Sequence, residues 1–362
     1  MTEAAAELAR LEASVAEHRQ LLAANPDNLY PMFADSLLSM APLLAELGRL
    51  DEALAAAEEG VEHLRHLDAV DPAVFGVHLA SGLNNLSNRL SELDRDEEGR
   101  RAGDEAVILA RAAVTASQPD QARFVLISAL MNQSGRSWRA GQSARAIDEM
   151  AAAVDAFREG GEALGQFLGV MVDALHKNAL ALAEAQLWDE AVQIRRLTAK
   201  IFPADVPSPV IHLLALTLEQ AAFAKSRGGQ PGEALPLAEE AAQIARDLVE
   251  VEPERYTLFL AQSLANLGSR QHEAGASEIG LQAVLEAINL FQEAAQHNPA
   301  DAVLPLTMTL EAFAAILKSL GHEDQAQSVL AQRDELMEIV RQVENLDGHD
   351  HDHGHGDGCG CH

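Results

Sequence analysis

Apolar and polar residues alternate along this chain with a helical period, and the pattern repeats. One column of leucines carries the repeat: Leu37, Leu83, Leu130, Leu175, Leu218, Leu264 and Leu310, at steps of 46, 47, 45, 43, 46 and 46. Four residues after each comes a small residue: Ala41, Ser87, Ser134, Ala179, Ala222, Gly268 and Ala314. Sixteen after each comes another: Ala53, Gly99, Ala146, Ala191, Ala234, Gly280 and Ala326. Three aligned columns in seven copies predict seven structural repeats rather than one irregular globule.

Within each copy the spacing predicts two helices, A and B. In the first, helix A runs from about Leu29 to Leu47, and Gly48 stops it with a positive φ. Asp51 is expected to cap helix B, which continues to about Leu67. Asp71-Pro72 closes the repeat, because proline cannot continue a helix. The small residues in mid-A and early B let two helices approach closely, with the leucine beside them. Neither helix buries its apolar stripe alone, so neighbouring pairs must stack. Residues 3–24 are amphipathic and predict an N-terminal cap helix. The segment from 323 to about 345, containing QRDELMEIVRQVEN, predicts a polar cap at the other end.

These columns, with the turns LGRLDEA (47–53) and LWDEA (187–191), resemble the tetratricopeptide (TPR) pattern. The usual TPR unit has 34 residues. The longer step here is closer to the long-repeat TPRs of kinesin light chains and bacterial solenoids. The resemblance spans residues 25–340. It implies an all-α, TPR-like α-solenoid of about seven helix pairs, with a cap helix at 1–25, the solenoid at 26–346 and a separate tail at 347–362. The fourth and fifth repeats depart from the pattern. REGGEALGQF (158–167) lacks the repeat proline and IFPADVPSP (201–209) has three, so a joint is expected at 199–209.

Composition narrows the partners. Formal net charge is −30, with 56 acidic and 26 basic residues. Such a surface repels nucleic acid and anionic lipid, so neither is an expected partner. The N-terminus has no apolar signal core, no stretch of 18 consecutive apolar residues is present, and no cysteine precedes position 359. A cytoplasmic location is the expectation from these features. The chain also lacks the motifs of hydrolases, nucleotide-binding loops and zinc proteases, so it does not read as an enzyme.

The A helices carry a second column two residues after the leucines: Ser39, Asn85, Asn132, Lys177, Gln220, Asn266 and Ala312. Arg89, Arg136 and Arg270 follow four residues after Asn85, Asn132 and Asn266, on the same helix face. The TPR resemblance implies that A helices line a concave groove. In peptide-binding members an inward asparagine at the matching position grips an extended peptide backbone. On that reading Asn85, Arg89, Asn132, Arg136, Lys177, Gln220, Asn266 and Arg270 contact a protein or peptide partner, and the arginines suit an acidic segment or a C-terminal carboxylate. The same residues equally fit bridges between adjacent repeats. His63 and His66 are neighbours on one helix face but lack metal spacing across repeats, and Trp138 and Trp188 read as packing residues.

After Leu346 the helical period ends in GHDHDHGHGDGCGCH (348–362). His349, His351, His353, His355 and His362 offer imidazoles, and Cys359 and Cys361 offer thiolates. A disulfide across one intervening residue closes a strained ring, whereas two thiolates on one metal avoid it. This N/S donor set suits a transition metal ion: Ni, Zn, Co or Cu. The ending GCGCH is similar to the His/Cys-rich tail of SlyD, a prolyl isomerase and nickel metallochaperone, which favours nickel. Taken together, the chain reads as a protein-interaction scaffold with a metal-binding tail, accessory to metal storage or delivery to a docked partner. The rival reading is a peptide-binding scaffold or regulator in which the tail is secondary.

Overall fold

The computed structural model describes residues 3–25, 31–115, 119–202, 206 and 208–349. It is all-α: among these residues there are fifteen α-helices, one 3-10 segment and no strand. α1 (Glu3–Ala24) precedes seven helix pairs. The pairs are α2 (Pro31–Glu46) with α3 (Leu50–Val70), α4 (Pro72–Glu92) with α5 (Asp96–Val114), and α6 (Pro119–Arg139) with α7 (Ser143–Gly160). They continue with α8 (Leu168–Glu184) and α9 (Trp188–Lys200), α10 (Ser208–Arg227) and α11 (Pro231–Val251), α12 (Pro253–Glu273) and α13 (Ser277–His297), and α14 (Pro299–Ser319) and α15 (Glu323–His349). Packing divides the chain into two compact units, Met1–Asn178 with Lys200–Pro203, and Ala179–Ala199 with Ala204–His362.

The leucine column is the centre of every pair. All seven leucines are at most 3% exposed. The two small-residue columns are equally buried, and they meet at the A/B seam in α4/α5, α6/α7 and α12/α13. Ser87 Oγ donates to the Gly99 carbonyl at 2.6 Å, and Ser134 Oγ to that of Ala146 at 2.7 Å. These bonds satisfy buried hydroxyls while drawing the helices together. In the α12/α13 pair both positions are glycine. A Cβ built on Gly268 would lie 2.6 Å from the Gly280 carbonyl oxygen, and one on Gly280 would lie 2.5 Å from that of Gly268. Only two glycines permit that approach.

A further column lies eleven residues after each leucine. Gly48, Asp94, Gly141, Gln186, Gly229, Gly275 and Gly321 all have positive φ, from 58° to 88°. The residue after each donates its backbone N–H to the carbonyl five residues back, as Arg49 does to Leu44 at 2.9 Å and Ala276 to Gln271 at 2.8 Å. This is the Schellman closure of a helix C-terminus, and it turns A into B within three residues. Asp51 does not cap α3 as expected. The helix begins two residues earlier than that, at Leu50, so Arg49 occupies the N-cap and makes no side-chain cap bond. Asp51 instead lies in the first turn, where its charge complements the helix dipole. Asp71 is the capping residue that does act, accepting from the Val74 N–H at the start of α4.

In the first unit, α1 packs on α2 through Leu8 and Val15, against Phe33, Leu37 and Met40. The A helices α2, α4 and α6 also touch one another. In the second unit α10, α12 and α14 do the same. REGGEALGQF forms the end of α7 and the 3-10 segment Gly161–Phe167, with Gly161 at φ 60°. α14 is the one described helix long and apolar enough by length and composition to cross a membrane. Here it packs against α13 and α15 as a core helix, burying Leu306, Leu310, Ile316 and Leu317. α15 runs on to His349, three residues past Leu346.

Candidate docking site on the A helices

The A-helix column divides into residues tied up by the preceding repeat and residues left open. In the first unit, Asn132 Nδ2 donates to Asn84 Oδ1 at 3.0 Å, and Arg136 Nη1 to Asn88 Oδ1 at 3.2 Å. Arg89 Nη1 donates to the Ala41 carbonyl at 3.3 Å and Nη2 to Glu92 at 2.7 Å. Each inter-repeat bond joins residues 48 apart. Arg136 is only 6% exposed, and its Nε donates to Gln133 at 2.7 Å. Burial, with Arg139 nearby, lowers its pKa to about 10. Gln133 in turn donates to Asp104 at 2.6 Å, and Arg145 reaches the same Asp104 at 2.7 Å. Gly103 leaves room for this network, since a Cβ there would sit 2.6 Å from the Gln133 amide. The bridges join stacked repeats and hold these side chains to the protein, although Arg89 Nε and Arg136 Nη2, both buried, have no hydrogen-bond partner. Asn85 is half-buried. Lys177 is exposed and pairs with Asp173 one turn back, at 2.7 Å.

The second unit is different. A concavity of about 320 Å³ opens between α10 and α12. Gln220, Asn266 and Arg270, three residues of the predicted column, line it. Glu219, Phe223 and Gln262 line it with them. Asn266 Nδ2 donates to Glu219 Oε2 at 3.2 Å, Gln262 Nε2 donates to Asn266 Oδ1 at 3.2 Å, and Ser263 Oγ donates to Glu219 Oε1. Burial raises the Glu219 pKa above the ordinary carboxylate value, against the lowering effect of the Ser263 and Asn266 hydrogen bonds. Arg270 Nη2 pairs with Glu273 at 3.0 Å, while its buried Nε has no hydrogen-bond partner. The Arg270 and Arg227 guanidinium carbons both lie 5.8 Å from the Phe223 ring centre.

The outer stripe of α10 is also unlike its counterparts. Leu216, Gln220 and Phe223 are exposed at i, i+4 and i+7, with Phe223 53% exposed. The same register on α4 holds Ser81, Asn85 and Asn88, and on α6 Ser128, Asn132 and Gly135. α14 adds exposed Leu304 and Met308 to the apolar surface of the second unit. Exposed apolar side chains beside a polar pocket mark a contact surface better than polar residues alone.

Two features escaped the sequence columns. Glu219 stands one position before the polar column, in the register of Asn84, and is half-buried where α12 stacks on α10 and Asn266 donates to it. Phe223 was legible as an aromatic in the α10 helical stripe, but its exposure depends on that same packing. On the B helices, Arg65 pairs with Glu105 at 2.5 Å, Arg196 with Glu240 at 2.5 Å and Arg246 with Glu286 at 3.2 Å, a ladder between successive repeats.

His63 is buried edge-on to Phe33, with ring centres 5.4 Å apart. Trp188 packs beside the Val192–Leu214 cluster. Among the described residues no group of three or more His, Cys, Asp and Glu can hold a metal ion. His349 ends α15, and the other predicted tail ligands, His351, His353, His355, Cys359, Cys361 and His362, lie outside the described residues.

No protein-family model matches the chain, and no curated protein matches it. Solved structures do. A Podospora anserina putative kinesin light chain of nearly identical TPR-like repeats shares 16% identity, covering 62% of this chain and 99% of its own, at a TM-score of 0.35. The apo form of the quorum sensor NprR from B. thuringiensis shares 13%, covering 91% and 82%, at 0.37. A tetratricopeptide repeat protein from Parabacteroides merdae shares 13%, covering 86% and 98%, at 0.28. Likeness at this level says nothing of what this chain binds.

Proposed function

We propose that this chain is a non-catalytic, cytoplasmic docking scaffold that seats an extended segment of a protein partner on the A-helix face of its second unit. The observation that carries the reading is the α10/α12 pocket, where Gln220 and Asn266 amides lie beside the exposed Phe223 ring. Amides donate to and accept from a peptide backbone, and an exposed aromatic supplies the apolar anchor. The arginines offer little to an acidic segment, because Arg89, Arg136 and Arg270 are engaged internally. A Phe223→Ala/Gln220→Ala chain used as bait should lose the partner that the intact chain captures while keeping its helical circular dichroism. Equal capture by both would refute docking on this face.

The tail extends the proposal. Five imidazoles and two thiolates within 348–362 favour binding of a transition metal, with nickel preferred and Zn, Co or Cu as the other fitting ions. We read the tail as a store or delivery arm for the docked partner. Titration with Ni(II) and Zn(II) tests it on three chains: intact, Cys359→Ser/Cys361→Ser, and one ending at Leu346. The intact chain should bind several equivalents, the double variant should lose the tightest, and the truncated chain should bind almost none. Equal binding by the truncated chain would move the sites to the repeat histidines. If the chain purifies without metal and its captured partner is no metalloprotein, the rival scaffold reading stands.

A further inference from the structure

We propose that the α10/α12 pocket takes a Lys or Arg side chain of the docked segment, with its cationic head on the Glu219 carboxylate. This rests on the docking reading above and adds the charge of what docks. Glu219 accepts one hydrogen bond on each oxygen, from Ser263 and from Asn266. A carboxylate offers about four acceptor sites, so about two are left. Among the described residues Glu219 makes no ion pair. Arg270, the cation that lines the same pocket, is committed to Glu273. Glu219 is half-buried, and a carboxylate partly withdrawn from water without a counter-charge favours taking up a proton or a cation from outside. Burial indeed pushes the Glu219 carboxyl upward.

The surroundings suit a cation on a long stem. Gln220 and Gln262 line the pocket, and their amide oxygens are of the kind that accepts the remaining protons of an ammonium or guanidinium. The exposed ring of Phe223 gives the alkyl stem an apolar surface to lie along. At about 320 Å³ the pocket is at the small end of ligand sites, which start near 300 Å³, so it fits one anchoring side chain. Arg270 follows Asn266 by one helical turn, about 6 Å away. Its guanidinium is paired with Glu273, so the Glu219 carboxylate is left for a cation from the docked segment. The whole chain, at −30, attracts basic segments and repels acidic ones before contact.

The test is a random nonapeptide library displayed on phage, panned against the full-length chain, Glu219→Gln and Glu239→Gln. Glu219→Gln keeps the side-chain shape and an acceptor while removing the charge. Glu239 is an exposed acid on α11, so Glu239→Gln controls for net charge alone. The wild type and Glu239→Gln should recover peptides sharing one Lys or Arg at a fixed position. The best such peptide, synthesised, should bind Glu219→Gln about tenfold or more weakly and Glu239→Gln within about twofold of wild type. Peptides recovered without a shared basic residue, or a winner that binds Glu219→Gln as tightly as wild type, would overturn the cation site and leave docking intact. Recovery of no peptide by any chain would overturn both.

Discussion

Gly280→Ala is the sharpest test of how the helix pairs are held. In most helices this change stabilises, because alanine is the better helix former by about 1 kcal/mol. Here the added Cβ would sit 2.5 Å from the Gly268 carbonyl oxygen and 3.2 Å from the His272 nitrogen. Both neighbours are backbone of α12, so no side chain can swing aside. An ordinary carbon–oxygen contact is about 3.3 Å or longer, so the helices must part by nearly 1 Å. A gap of that size forfeits a quarter to a half of each dispersion contact along the seam. Val284 and Leu264, both 0% exposed, flank it. Overpacking of this kind costs roughly 1–3 kcal/mol. The clash is with backbone, which places the cost in the upper part of that range, about 2–3 kcal/mol, so after the gain in helix propensity the net loss should be about 1–2 kcal/mol. Gly135→Ala in α6 is the control, because a Cβ there meets nothing within 4 Å. It should be neutral or stabilise by up to about 1 kcal/mol. Urea melts followed by circular dichroism give the ranking, and amide exchange in α12 and α13 shows whether the weakening is local. A Gly280→Ala midpoint at or above wild type would show that the seam has slack and that the small-residue columns do not set helix approach.

Other consequences are as direct. Gly275→Ala should cost about 1–2 kcal/mol although nothing crowds the site, because its φ of 88° is unfavourable for any residue with a Cβ; an unchanged melt would show that the turn relaxes. Ala191→Phe, at a position 0% exposed, should overpack the fourth seam by about 1–3 kcal/mol, and a neutral melt would refute its burial. Glu219 has a folded-state pKa raised by burial, so the native state binds its proton more tightly than the unfolded chain does. Stability should therefore fall as pH rises from the ordinary carboxylate value through the folded-state one, and Glu219→Gln should remove that component and be relatively more stable at neutral pH. Parallel pH profiles for the two proteins would mean that Glu219 is not desolvated.

The repeat period, the helix pairs and their turns were legible in the chain because each is decided locally and copied seven times. The leucine column must be buried in any helix pair, and a glycine eleven residues later closes helix A wherever it stands. That glycine column was readable too, in five of seven copies; Asp94 and Gln186 break it in sequence while keeping its positive φ. Asp51 misled because a capping residue one position inside the helix looks the same on paper as one at its start. The fates of the asparagine and arginine column were decided only by stacking. Asn132 and Asn266 occupy identical places in their repeats, yet one meets an asparagine and the other a half-buried carboxylate. Those partners lie 47 or 48 residues away, and no local pattern records them. The pocket beside Glu219 arises for the same reason: its walls come from three helices whose spacing is set by the seam residues of each pair. Local periodicity determined what the repeats are, and the contacts between repeats determined which of their polar residues are free to bind.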